Sequence, residues 1–482
     1  MTKKSSLVFV PAPAVGHIVS AIELAKLLVA RDDRLSITVL VIKIPNSPSL
    51  NSIIDSLGAA SLTGIRFIHL PQLELPSPDM AQSVEGIVSI FIDNYKPFVK
   101  DAITQLFFTS QSQTRSRLAG LVIDLFCTSM IDVANELGIP SYLFFTSTAG
   151  LLSLMLHLPF LDTQIHTNFK DSETEFVIPG FINSVPPHAL PSAIWSKGQD
   201  GYTWYLYHGR RFSETKGIIV NTFAELEPQL ISFFSSNGRT PPVYPVGPLL
   251  DLQGQMHSQL DQTNFESIIK RWLDDQPPSS VVLLCFGSFG SFGVPQVKEI
   301  ALGLERSGHR FLWSLRQPSQ GFTNPTDYTN PKEVLPEGFL DRTAERGLVC
   351  GWIPQVAVLA HRAIGGFVSH CGWNSTLESI WFGVPIVAWP LYAEQHLNAF
   401  EMVRDSELGG LMVELRLDYR GGGDDLVTAQ EVERAVRLLM DSNCEVRMRV
   451  KEMQKMSRTV LMDGGSSFTS LGCLIKDLLD ES

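Results

Sequence analysis

Short runs of β-branched, aliphatic and aromatic residues alternate along this chain with longer stretches whose apolar positions recur every three or four residues. In the first 150 residues the short runs are SLVFVPA, LSITVLVI, IRFIHLP, LAGLVIDLF and PSYLFFTS, separated by amphipathic segments such as IVSAIELAKLLVARD. Strand-like runs alternating with helical periodicity predict βαβ units and a parallel sheet. The rhythm restarts after residue 279 with SVVLLCFGS, RFLWSLR, GLVCGW, GGFVSHCG and PIVAWP, again with helical stretches such as PQVKEIALGLERSG between them. A second parallel sheet follows. Between the two series lies YPVGPLLDLQGQMHSQLDQTN, rich in Pro, Gly and Gln and without either periodicity, as a linker would be. The predicted fold class is α/β, with two tandem Rossmann-like parallel-sheet domains facing across a cleft. The expected boundaries are residues 1–247, a linker over 248–265 and a second domain over 266–462. A last helix, about 463–482, is expected to pack back on the first domain.

Composition narrows the function. A chain of 482 residues exceeds the size at which one core stops growing, so two domains of roughly 200 residues each are expected. The net charge of −12 argues against nucleic acid as the main partner, because neutralising phosphates needs clustered Lys and Arg. Six cysteines, Cys127, Cys285, Cys350, Cys371, Cys444 and Cys473, form neither CxxC pairs nor a dense framework, which predicts reduced, buried thiols in the cytosol. Lys3 and Lys4 precede an apolar run, but Pro11, Pro13, Gly16 and His17 interrupt it, so a first strand is expected there and not a secretory signal. Residues 141–160 lack charge yet carry Thr146, Ser147, Thr148, His157 and Pro159, which suits a buried strand and helix better than a membrane span. A cytoplasmic protein without membrane insertion is the expectation, and a monomer.

Chemistry should sit at strand ends, where open α/β sheets bind ligands. In GGFVSHCGWNSTLESIWFG an apolar strand ends at Ser369 and His370, a turn follows at Gly372, and a helix begins at about Asn374. A helix start offers free N–H groups and a positive dipole end to a phosphate. Asn374 and Ser375 add donors, and Glu378 lies one turn on, on the same face. Gly287, Ser288, Phe289, Gly290 and Ser291 follow the first strand of the same domain and make a second phosphate-approaching loop. Taken singly, each of these is more simply a helix cap or a packed histidine. In the first domain His17 follows the first strand, and Asp124 ends an apolar one, where an unpartnered charge costs several kcal/mol. Although 107 positions apart in sequence, two strand ends of one sheet can meet, making a base and the carboxylate that orients it.

The stretch from Trp352 to Gln395, WIPQVAVLAHRAIGGFVSHCGWNSTLESIWFGVPIVAWPLYAEQ, resembles the 44-residue signature of plant secondary-product UDP-glycosyltransferases, and the tandem α/β pattern resembles their GT-B architecture over nearly the whole chain. The resemblance implies UDP-glucose as co-substrate, no other cofactor and a small-molecule acceptor. It places Trp352 on the uracil, Gln355 and Glu378 on the ribose, and His370, Asn374, Ser375 and Ser288 on the diphosphate. Trp373, Glu394 and Gln395 match positions that face the sugar. Gln395 resembles glucose users, and Glu394 departs from the aspartate common at its position. Thr146 matches a position whose hydroxyl reaches the sugar. His17 and Asp124 match the base and its partner, so an acceptor hydroxyl would attack the anomeric carbon and invert it, giving a β-glucoside and UDP. No D-x-D motif occurs in the sequence, so helix dipole and side chains are expected in place of a metal ion. Val15, Phe126 and Ala393 flank these positions and are expected to line the acceptor pocket. Segments such as FVIPGF and AIWSKGQDGYTWYLY suggest an apolar wall that suits flavonoids, other phenolics or triterpenoids.

Two rival readings fare worse. A nicotinamide dehydrogenase needs GxGxxG and an acid after the next strand, whereas Gly287, Gly290 and Gly293 form GxxGxxG and RFLWSLR ends in Arg316. A noncatalytic nucleotide-sugar binding module would have no use for both His17 and Asp124.

Overall fold

The computed structural model describes residues 4–45, 51–52, 56, 62–77, 79–109, 117–252, 269–319, 325–405, 410–420 and 425–480. A seven-stranded sheet takes β1 (Ser5–Val10), β2 (Leu35–Val41), β3 (Ile65–His69), β4 (Arg117–Asp124), β5 (Ser141–Phe145), β6 (Gly217–Val220) and β7 (Val243–Pro245) in the order β3-β2-β1-β4-β5-β6-β7. A six-stranded sheet takes β8 (Val281–Cys285), β9 (Arg310–Ser314), β12 (Gly347–Cys350), β13 (Ile364–Ser369), β14 (Ile386–Ala388) and β15 (Met412–Glu414) in the order β12-β9-β8-β13-β14-β15. Neighbouring strands in both are parallel. A small antiparallel hairpin, β10 (Arg316–Gln317) with β11 (Thr326–Asp327), stands beside the second sheet. Strands such as β1, β5, β8 and β13 are buried at every position, the mark of a sheet covered on both faces.

The helices that position the site are α1 (Val15–Arg31), α2 (Ala149–Gln164), α3 (Asp200–Phe212), α4 (Pro228–Ser236), α5 (Trp373–Phe382), α6 (Gln395–Arg404) and α7 (Ser466–Leu479). In α1 the buried positions Ile18, Ala21, Ile22, Ala25 and Leu28 make a single stripe against the sheet. Leu471, Leu474, Ile475 and Leu478 of α7 join that same core, and Tyr142 Oη donates to Asp477 at 2.8 Å, so the end of the chain lies on the first sheet. The two cores also interlock. Leu397 and Phe400 of α6 belong to the first domain's cluster, while Phe223 and Leu226 belong to the second's.

Every run expected to be a strand is one, and residues 141–160 are β5 followed by α2. Three strands of the parallel sheets lie outside those runs: β6, β7 and β15 have three or four residues each and are too short to show a period. Tyr244 and Pro245, in the aperiodic stretch between the series, belong to β7. Of the expected linker, residues 253–265 lie outside the described residues, as do residues 481–482 of the last helix. All six cysteines are free, but not all are buried: Cys350 is half-buried and Cys473 is exposed on the outer side of α7. No helix among the described residues is long and apolar enough to cross a membrane.

Gly209 lets α3 lie directly on α2, since a Cβ there would stand 2.3 Å from the Met155 carbonyl oxygen. Helix propensity alone favours alanine over glycine by about 1 kcal/mol, but a contact that short with backbone forces the helices apart at about 1–3 kcal/mol. Gly209→Ala should therefore lower the urea unfolding midpoint; a raised midpoint would show that the propensity gain wins.

Candidate active site

Each sheet reverses its strand order once, between β1 and β4 in the first and between β8 and β13 in the second. Such switch points leave a crevice at the carboxyl ends of the strands. His17 follows β1 and Asp124 ends β4; Ser288 follows β8 and His370 follows β13. The sequence candidates thus gather at the two crevices.

His17 Nδ1 lies 2.8 Å from Asp124 Oδ2 and 3.1 Å from Thr146 Oγ1. The tautomer with its proton on Nδ1 serves both acceptors and leaves the lone pair on Nε2. Asp124 is 2 % exposed, and its other oxygen accepts from Phe126 N at 3.1 Å, so the lone acid of the apolar strand has the partners it requires. Burial works against a charged imidazole, yet the charge and hydrogen bond of Asp124, with the charge of Glu394 across the cleft, hold the His17 pKa above its ordinary value. The ring keeps 23 % of its surface exposed. Phe126 stands between two histidines, 5.7 Å from the His17 ring and edge-on to His208 at 5.8 Å. Val15, in the first turn of α1, is half-buried and packs on the core beneath it.

In the second domain Gln355 Nε2 donates to Glu378 Oε2 at 2.7 Å and Ser375 Oγ at 2.9 Å, joining three of the expected ribose and phosphate residues. Burial pushes the Glu378 carboxyl up to about 7, with the Gln355 bond opposing and the charge of Asp251 adding to it. Burial likewise pushes His370 down to about 4, so at neutral pH it is an uncharged imidazole. Its Nδ1 is buried without a protein partner. Its Nε2 fills a notch between two loops, where a Cβ on either Gly287 or Gly372 would stand 2.5 Å away. Ser288 and Phe289 beyond that notch are exposed. Trp352 is half-buried, and its main-chain N–H donates to Asp327 Oδ1 at 3.0 Å, so the β10–β11 hairpin braces its backbone.

Trp373 and Asn374 make contacts across the domain boundary. The Trp373 indole is 3 % exposed and its Nε1 donates to the Asn221 carbonyl at 2.7 Å, so the indole N–H serves the contact between domains. Asn374 Nδ2 donates to the Gly16 carbonyl at 3.2 Å, and Ser20 Oγ donates to its Oδ1 at 3.4 Å. The first turn of α5 is thus stitched to the first domain, leaving its main-chain N–H groups at the helix start.

Gln395 is buried, with Oε1 accepting from Leu391 N and Tyr392 N at 3.0 and 3.1 Å, so the amide nitrogen is what it can offer a ligand. Ala393 has φ +53° and Cys371 φ +63°. Both turns bordering the crevice therefore hold a non-glycine residue in the left-handed region, at about 1–3 kcal/mol each. Burial raises the Glu394 carboxyl, while His17 acts in the opposite sense. Sequence reasoning missed Tyr205 of α3 and Glu85. Burial and the charges of Glu85 and Glu394 drive the Tyr205 phenol well above its ordinary value, which places both residues near Glu394. Neither carries a motif that would have marked it. No cluster of three metal-ligating side chains occurs among the described residues.

A family model described as UDP-glucoronosyl and UDP-glucosyl transferase matches residues 242–446. A UDP-glycosyltransferase of Malus domestica is 53 % identical over 485 residues, covering 100 % of both chains. A UDP-glucose flavonoid 3-O-glucosyltransferase of Fragaria ananassa is 50 % identical, covering 98 % of each. The crystal structure of a Medicago truncatula UGT complexed with UDP-glucose superposes with a TM-score of 0.88 at 48 % identity, covering 98 % of each chain. Identity of this extent over the full length shows that the chain belongs to the plant UDP-glycosyltransferases, with their two-domain GT-B fold.

Proposed function

We propose that the protein transfers glucose from UDP-glucose to a hydroxyl of a small apolar acceptor, a flavonoid or other phenolic, with inversion, giving a β-O-glucoside and UDP. The observation that carries this reading is the His17–Asp124 pair, 2.8 Å apart, at one wall of a cleft whose other wall is the start of α5. The Fragaria ananassa relative is named for a flavonoid acceptor and the Medicago truncatula neighbour was solved with UDP-glucose. His17 Nε2 takes the acceptor proton while Asp124 fixes the tautomer and stabilises the imidazolium. The oxygen so activated attacks the anomeric carbon from the face opposite the diphosphate, and the C–O bond to UDP breaks.

Negative charge growing on UDP meets the N–H groups at the start of α5, with Ser288, Ser375 and the neutral imidazole of His370 as donors. Trp352 stacks on the uracil, and Gln355 and Glu378 take the ribose hydroxyls. Glu394 and the Gln395 amide hold the sugar, and Thr146 shares its hydroxyl between His17 and the sugar. Val15, Phe126 and Ala393 line the acceptor pocket, with Tyr205 and Glu85 at its polar end. One chain supplies both walls of the cleft, which supports a monomer, and six free thiols suit a cytoplasmic setting.

His17→Ala should cut kcat by about 10²- to 10⁴-fold with UDP affinity little changed, read by UDP release and calorimetry; full turnover would sink the assignment of the base. The base must be deprotonated, so the wild-type rate should fall as pH drops through its pKa, which Asp124 holds above the ordinary histidine value. Glu378 accepts from ribose as a carboxylate, so KM for UDP-glucose should fall as pH rises through about 7. Glu378→Gln should flatten that dependence and raise KM about tenfold, since bonds to a charged acceptor contribute about 1.5–3 kcal/mol. EDTA should leave the rate unchanged, whereas loss of activity restored by Mn²⁺ would contradict a leaving-group site built of protein donors alone.

A further inference from the structure

Two carboxylic side chains that the proposed reaction does not use meet where the domains touch. Glu227 precedes α4 in the first domain and Glu401 lies on α6 in the second; each is 3 % exposed. Glu227 Oε1 accepts from Gly150 N at 3.0 Å. Glu401 Oε2 lies so near the same residue that a Cβ on Gly150 would stand 2.5 Å from it. Both groups therefore converge on the first turn of α2, a 16-residue helix capped by Thr148. Oε2 of each is buried and makes no hydrogen bond.

Two ionised carboxylates are acceptors only, and burying both side by side with one oxygen of each left unbonded is costly. One proton converts one of them into a donor and satisfies both orphaned oxygens. The single negative charge that remains sits at the positive end of α2. The groups facing the pair are Thr148 and the Ala149 and Gly150 N–H groups from α2, Thr222 from the segment after β6, and Asp405 from the end of α6. Asp405 is itself engaged, accepting from Ile182 N at 3.1 Å and Asn183 N at 2.6 Å. Burial first, and the neighbouring carboxyl next, keep Glu401 well above the usual carboxylate range; burial also raises Glu227.

The pair connects to the cleft along two elements. Glu394, Asn398, Glu401 and Asp405 are spaced four, three and four apart, one stripe along α6. Glu394 at its start is about 10 Å along the axis from Glu401 and faces His17. On the other side, the turn from β5 into α2 carries Thr146, which touches His17, and Thr148, which faces Glu401. We propose that Glu227 and Glu401 share one proton across the domain boundary, and that this clasp is a positioning device holding α6, with Glu394 and Gln395, against His17. Loss of the proton on the alkaline side sets two buried anions against each other and uncouples the cleft.

The sign separates this effect from the reaction itself. His17 and Glu378 work deprotonated, so they produce losses toward acid, whereas the clasp produces a loss toward alkali. A group whose pKa is raised on folding adds stability at low pH that disappears as pH rises through its folded value. Glutamine imitates the protonated acid without titrating. In Glu401→Gln, the alkaline fall of kcat with UDP-glucose and a phenolic acceptor should move upward by at least about one pH unit, with KM for UDP-glucose hardly altered. The alkaline fall in thermal unfolding midpoint should move with it. That second reading needs neither donor nor acceptor, so it stands or falls independently of the glycosyl transfer proposed above. Glu227→Gln is the mirror variant should the first fail to fold. A folded glutamine variant that keeps the wild-type alkaline limb in both rate and midpoint would overturn the proposal.

Discussion

The geometry of the cleft depends on how its two walls are held together, and the hydrogen bond from the Trp373 indole to the Asn221 carbonyl, 2.7 Å long and buried, ties one to the other. Its donor belongs to the helix that faces the leaving group, and its acceptor follows β6 of the other sheet. The next residue, Asn374, repeats the connection to Gly16, one position before the proposed base. A displacement reaction tolerates little error in the line from attacking oxygen to leaving oxygen. Joining the first turn of α5 to both β6 and α1 converts a contact between domains into a constraint on that line. Gly16 is part of the constraint, since a Cβ there would stand 2.9 Å from Asn374 Nδ2.

Desolvation then sorts the titratable groups by what each is asked to do. The same burial that makes His370 a neutral imidazole makes Glu378 reluctant to ionise, and the Gln355 amide is the donor that opposes this. His17 escapes this fate because a carboxylate stands 2.8 Å from its inner nitrogen. One wall of the cleft therefore offers uncharged donors to an anion, and the other holds a base made stronger by its neighbour.

Much of this was legible in the sequence. An acid at the end of an apolar strand has to have a partner, and a histidine at the start of the helix after the adjacent strand supplies one, so His17 and Asp124 could be paired across 107 positions. Ser375 and Glu378 could be grouped because a strand, a glycine turn and a helix fix where they point, whereas Gln355 joined them only through the resemblance to the family signature. What escaped was decided by residues distant in sequence with no motif. The partners of Trp373 and Asn374 are backbone carbonyls of the other domain, and a carbonyl leaves no trace in the residue alphabet. Gln395 folds its oxygen onto its own preceding turn for a reason visible only once Ala393 is seen at positive φ. The strands of three or four residues escaped because periodicity needs more than one repeat to be read.

The return of α7 to the first sheet has a mechanical meaning. The chain crosses between domains after β7 and crosses back just before α7, and the crossings lie together: Ser467 Oγ donates to the Gly247 carbonyl at 2.6 Å, and Ser466 Oγ to Glu225 at 2.7 Å. A single connecting strand would act as a ball joint, free to swivel about any axis. Two connections side by side behave as a door hinge, restricting the halves to swinging about one line. Any movement of one half against the other is thereby confined to a single arc, along which the register between the walls is kept.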